Sequence, residues 1–217
     1  ASAWTGGLVH QGGGGYIRMT PAVANNRNIT VYQGSNIVIA AMGDNTSLPE
    51  RITTAPNIIT PGNADYSLVV EVLRSDIYPV RATNKTIAIT SPTSFAGQTV
   101  TITNNQGFGI ELAGPITLNG GVHYSLANAT HSSNVVQAGT FSGLITGAGD
   151  IIKDGNGSLV LSNPGNTFVG NLISNTGGFI AATSDAALGD ASNQIIINGA
   201  GFRAMDTWTN NRVISLT

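Results

Sequence analysis

Asp150 and Asp154 stand four residues apart in the stretch GAGDIIKDGNGSLVLSNPGNTFVG, residues 147–170, with Lys153 between them. Two carboxylates on one face of a β scaffold are the apparatus of polysaccharide hydrolases and lyases, one serving as acid and the other as base or nucleophile. The pattern goes no further. Residues 155–184 contain no acid, so neighbouring strands would bring no third carboxylate to the same face. The simpler reading is a solvated turn in which Lys153 and Asp154 form a weak local ion pair.

The other chemically capable groups are equally sparse. The histidines are His10, His123 and His131, and only the last two are close in sequence. Glu111 is the one acid near them, and a zinc site needs at least a third ligand. Gly12–Gly15 lacks the Lys-Ser/Thr or G-x-G-x-x-G context of a phosphate loop, and no G-x-S-x-G marks a nucleophile elbow. With no cysteine, thiolate chemistry and disulfides are excluded. Five N-x-S/T sequons, at Asn28, Asn45, Asn84, Asn128 and Asn156, are what chance gives in a chain this rich in Asn and Thr. Trp4, Tyr16, Tyr32, Tyr124 and Trp208 could line a sugar-binding surface, against the ordinary role of aromatics in filling corners and ends. The expectation is therefore no catalytic, cofactor-binding or metal-ligating residue, and no enzyme.

Composition narrows the setting. Only 9% of the 217 residues are charged and the net charge is -2, so no basic surface exists to neutralise a nucleic acid. No run approaches the roughly 18 apolar residues that span a bilayer, while 41% hydrophobic residues is too many for a disordered chain. Asn, Thr, Ser and Gly replace the charge. Lack of cysteine suits export, because an early disulfide would obstruct passage of an unfolded chain. The opening Ala1-Ser2-Ala3 is the small-residue pattern found near signal-peptide cleavage sites, so the expectation is an exported protein whose signal has been removed.

The elements that must carry these residues are short strands. The segments NITV, NIVIAA, YSLVVEVL, TIAIT, TVTIT, GIEL and PITL alternate apolar and polar positions: Val100 and Ile102 face one way, Thr99, Thr101 and Thr103 the other. From about residue 140 the rhythm tightens through SGLIT, GDIIK, SLVLS, TFVGNLI, GGFIAA, NQIII and NRVISLT, with turns at Asn156-Gly157, Asn163-Pro164-Gly165 and Asn198-Gly199. The nearest approach to a helix, ATSDAALGD, is too short for one and reads as a turn or 3₁₀ segment capped by Ser184 and stopped by Gly189. Apolar centres five to eight residues apart are tight for a sandwich of hairpins and natural for the stacked coils of a β-solenoid. Stacking also accounts for the scarce charge, since like charges in one column repel while Asn, Thr and Ser form hydrogen-bonded ladders.

The stretch from Gly147 resembles the autotransporter-associated β-strand repeat, G-x-G-x-[LI]-x-K-x-G-x-G-x-L-x-L-x-[GN]-x-N-x-[YF]-x-G. Gly147, Gly149, Ile151, Lys153, Gly155, Gly157, Leu159, Leu161, Asn166, Phe168 and Gly170 fall at matching positions, Pro164-Gly165 lengthening one turn. The resemblance covers about residues 109–217. It implies a right-handed parallel β-helix (all-β, β-solenoid) on a bacterial surface, with a less regular β-rich N-terminal cap or subdomain over 1–95 and solenoid repeats over 96–217. The repeat brings no catalytic residues. The functional expectation is an extracellular, non-enzymatic structural protein, a rigid surface or filament- and lattice-forming subunit that self-associates through open solenoid ends or continues in a longer chain. The alternative is an adhesin-type passenger segment that binds host or matrix glycans or proteins, and a polysaccharide-active enzyme comes third.

Overall fold

The computed structural model describes residues 6–42, 48–73, 85–104, 108–127 and 138–217. Within them the chain is all-β and every pairing between named strands is parallel. A long sheet of nine strands takes Tyr16–Met19, Ser35–Met42, Tyr66–Leu73, Thr99–Asn104, Val122–Ala127, Ile151–Asp154, Leu172–Ser174, Ile195–Ile197 and Ile214–Leu216 in chain order. A second sheet of seven runs from Glu50–Thr54 to Gly201–Ala204, again in chain order. Two three-stranded sheets hold Leu8–His10, Asn28–Val31 and Asn57–Ile59, then Thr93–Phe95, Ile116–Asn119 and Ile145–Ala148. Between Thr93 and Asp154 the chain visits a three-stranded, the long and the second sheet in strict rotation. Long parallel sheets ordered this way are consistent with a β-helix or solenoid.

Side-chain parity builds the interior. Val100 pairs with Tyr66 on one side and Tyr124 on the other, and all three are buried. Thr99, Thr101 and Thr103 point the other way and are half-exposed, as the alternation predicts. Further along, Leu172 pairs with Ile151 and Ile195 in a second buried column. Aromatics fill the centre: Phe95 stacks on Phe141 with centroids 6.3 Å apart, and Tyr124 meets Phe141 edge-on at 4.8 Å. Each fully buried Leu, Ile or Phe side chain contributes about 1.5–3 kcal/mol relative to exposure.

The corners explain the glycines. A Cβ on Gly143 would overlap the carbonyl oxygen of Gly114, and one on Gly114 would overlap that of Ser91. A second column runs Gly121, Gly149, Gly170. A Cβ on Gly149 would strike the backbone of Gly121 and one on Gly170 that of Gly149, each on the preceding rung, while one on Gly121 would press on the backbone of Asp150 in the following rung. Backbone-on-backbone contact at the bends lets consecutive rungs keep strand spacing without splaying.

The long sheet passes residue 95 through the pairing of Tyr66–Leu73 with Thr99–Asn104. The early part is less even on its third side, where Asn57–Ile59 and Thr93–Phe95 belong to separate sheets and the Ser91 hydroxyl donates to Pro56 O nearby. It also holds one short helix, Pro21–Ala24, that strand periodicity does not suggest. Its signal is local: Thr20 as N-cap, accepting from Val23 N at 3.4 Å, with proline in the first turn. At the other end Ala186–Leu188 is a 3₁₀ turn in which Ser184 Oγ accepts from Ala187 N at 3.3 Å, followed by Gly189 at φ 77°, in keeping with the reading of ATSDAALGD.

Candidate functional site

Parity decides what becomes of the carboxylate pair. In Ile151–Asp154, Ile151 and Lys153 point inward while Asp150, Ile152 and Asp154 lie on the outer side. Four residues of extended chain put Asp150 and Asp154 about 13 Å apart, beyond the roughly 5–9.5 Å of a glycosidase pair. Each is occupied separately. Asp150 Oδ1 accepts from Asn171 N at 2.6 Å, and Asp154 Oδ1 accepts from Asn175 Nδ2 at 2.9 Å while its Oδ2 lies 3.4 Å from His123 Nδ1. They begin polar columns.

Lys153 corrects the sequence reading. It does not make a solvated ion pair with Asp154. Its side chain is fully buried, and Nζ donates to Gly155 O, to Thr176 O at 2.8 Å and to Gly177 O. Burial pushes its ammonium down to about 8, with the Asp154 carboxylate opposing the shift. Three carbonyls at a tight corner need a donor, and the inward lysine supplies one. A lysine between two corner glycines, as in the repeat pattern, was the available signal. Lys85 is used similarly: it is buried, with Nζ donating to Leu48 O at 2.9 Å and lying 3.4 Å from Glu50.

The histidines do not converge. His10 Nδ1 lies 2.9 Å from Ser35 Oγ and accepts from Gly12 N at 3.2 Å. Ser35 is fully buried and also contacts His10 O and Tyr32 N, so this Ser–His contact locks a turn and presents no reachable nucleophile. His123 lies on the outer face of the long sheet and is 45% exposed. Glu111 lies on the second sheet, where Arg51 donates to it from Nε at 2.6 Å and Ser142 from its hydroxyl. Burial raises the Glu111 carboxyl, but Arg51 and Ser142 outweigh it and hold the group below its ordinary value. His131 lies outside the described residues. Among the described residues no three His, Asp or Glu side chains form a group able to hold a metal, and no helix is long and apolar enough to cross a membrane.

The aromatics divide. Tyr124 is in the core, Trp208 is half-buried edge-on to Phe202 at 6.2 Å, and Tyr16 and Tyr32 are exposed. Trp4 lies outside the described residues, as do the sequons at Asn45, Asn84 and Asn128; Asn28 accepts from Asn57 Nδ2 at 2.8 Å, and Asn156 is exposed at a turn. Gly12, Gly13 and Gly14 all adopt positive φ and form a bend.

What the sheet does assemble is a flat outer face. Register aligns Ile152, Ile173 and Ile196 in one half-exposed column. Beside it run Asp154, Asn175 and Asn198, with Asn175 donating to Asp154 and Asn198 Nδ2 donating to Asn175 Oδ1 at 3.4 Å. On the other flank are Asp150, Asn171 and Gln194, joined by Asn171 N to Asp150 and Gln194 N to Asn171 Oδ1 at 3.3 Å. An aliphatic stripe between two hydrogen-bonded polar ladders can bind a partner by contact. It has no reactive constellation.

No protein-family model matches the chain, and no solved structure matches it. A curated relative, the adhesin BmaC autotransporter of Brucella suis biovar 1 (strain 1330), is 34% identical over 122 residues, covering 50% of this chain and 4% of that protein. The chain thus spans a small fraction of the relative's length.

Proposed function

We propose that this chain is a segment of an autotransporter-type passenger: a right-handed parallel β-solenoid built from β-strand repeats, displayed outside a bacterial cell, acting as an adhesin-type surface without catalysis. The observation that carries the reading is the similarity to an autotransporter adhesin in a chain whose nine-stranded sheet is parallel throughout. The dispersal of its carboxylates and histidines into structural ladders supports a non-enzymatic role. Residues 1–95 serve as the less regular end of the stack and residues 96–217 as its repeats. The partner is a host or matrix protein or glycan.

Purified chain immobilised on beads, tested against a glycan array and a panel of matrix proteins, examines this directly. Saturable binding that is lost on unfolding supports the adhesin reading. Flat responses on both panels, together with concentration-dependent polymers by light scattering, would replace it with a self-assembling spacer.

A further inference from the structure

Three Asn-Gly pairs occur in this chain: Asn119-Gly120, Asn156-Gly157 and Asn198-Gly199. In such a pair the glycine nitrogen can attack the asparagine Cγ. A C–N bond forms, the side-chain amide leaves as ammonia, and a five-membered succinimide closes. Water then opens either carbonyl to give aspartate or isoaspartate. One water is consumed and one ammonia released, and no other reactant is needed.

The three sites differ in how far the folded chain permits that approach. Asn119 lies in a strand, its Nδ2 donates to Ser94 Oγ at 3.0 Å, and the attacking nitrogen of Gly120 is tied to Ala148 O at 2.9 Å. Asn198 is exposed and Gly199 N takes no hydrogen bond among the described residues. The Asn198 backbone N, however, donates to Ser174 O at 2.8 Å and its side-chain amide to Asn175 Oδ1 at 3.4 Å, which fixes the side chain away from Gly199. Asn156 is exposed at the corner after Ile151–Asp154. Neither its side chain nor Gly157 N takes part in a hydrogen bond among the described residues.

We propose that Asn156 is a self-modifying site, converting to aspartate and isoaspartate in the folded protein ahead of Asn119 and Asn198. The position magnifies the result. The carbonyls of Asn156 and Gly157 crowd Gly178 so closely that a Cβ there has no room, and isoaspartate inserts an extra methylene into that backbone. The new carboxylate also appears at the corner where Gly155 O helps hold Lys153. The lesion would form where two rungs meet.

The test is peptide mapping with isoaspartate detection after the intact chain is incubated at mildly alkaline pH, native and in urea. The expected result is a gain of about 1 Da in the Asn156 peptide, with conversion about tenfold or more faster than at the two held sites. In urea the three rates should converge. Asn156→Ser should remove the early mass gain from the native protein. Equal native rates at all three sites, or earlier conversion at Asn119 or Asn198, would overturn the proposal.

Discussion

The ammonium of Lys153 lies 2.8 Å from the carbonyl oxygen of Thr176, one rung further along the long sheet. A residue that looks like surface charge in the sequence thus spans two rungs from the inside. Lys153→Met keeps the aliphatic stem and removes the donor, leaving Gly155, Thr176 and Gly177 carbonyls to find other partners. Equilibrium unfolding in urea should show a loss of about 2–4 kcal/mol. A loss below about 0.5 kcal/mol, the size of a surface substitution, would mean the carbonyls do not depend on it.

The same lysine gives a pH signature. Its folded value is lowered to about 8, against about 10.4 in the unfolded chain. Between those values the unfolded chain binds more protons, so this group adds stability as pH rises from about 8 and has given its full contribution above about 10.4. Comparing wild type with Lys153→Met across that window isolates the increment. The wild-type advantage should grow with pH, and parallel curves would show that burial does not depress this ammonium.

Two glycines make a matched pair. Gly143→Ala drives a methyl into Gly114 O and should cost about 3 kcal/mol or more through backbone displacement. Gly13→Ala meets nothing within 4 Å and is strained only by its φ of 86°, so about 1 kcal/mol is expected. Thermal unfolding of both variants checks the order. If Gly13→Ala is the worse, corner contact is not what the glycine column supplies.

The adjacent residues Leu172 and Ile173 test parity. Leu172 is fully buried and Ile173 half-exposed. Leu172→Ala should cost about 2–5 kcal/mol and Ile173→Thr about 0.5 kcal/mol or less, read by chemical denaturation. If the outer face binds a partner, Ile173→Thr should weaken that binding while stability is kept. Comparable destabilisation by the two would contradict the assigned facing.

This parity marks where the sequence was legible and where it was not. TVTIT has one apolar residue at every second position, so its faces could be read directly. GDIIK, NLIS and NQIII have apolar residues in adjacent positions, and only the corner geometry decides that Ile151, Leu172 and Ile195 go in while Ile152, Ile173 and Ile196 go out. Lys153 was misjudged for the same reason: its polarity suggested solvent, while its position two after Ile151 placed it inside. Ladders of Asn, Thr and Ser were anticipated from composition, but not that Asp150 and Asp154 would join them. Which residues pair was not, because the rungs are unequal: Val122 pairs with Ile151, 29 residues on, but Ile151 with Leu172, only 21 on.

Asn166 concentrates several of these features. It is buried at a corner, its Oδ1 accepts from Ile145 N at 2.8 Å, and its Nδ2 donates to Ala187 O at 2.7 Å. One amide thereby links the rung before it to the rung after it. Asn166→Asp preserves shape and the acceptor but replaces the donor with an oxygen facing a carbonyl. Only the protonated acid can restore that bond, so the folded state raises the pKa of the new carboxyl above its unfolded value of about 3.9. The sign follows: the variant is close to wild type below pH 3.9 and loses stability as pH rises through its folded value, by about 3 kcal/mol at pH 7. Urea unfolding at pH 3.5 and pH 7 measures the difference between variant and wild type. A penalty that does not change with pH would show that the Ala187 contact is not made through this amide.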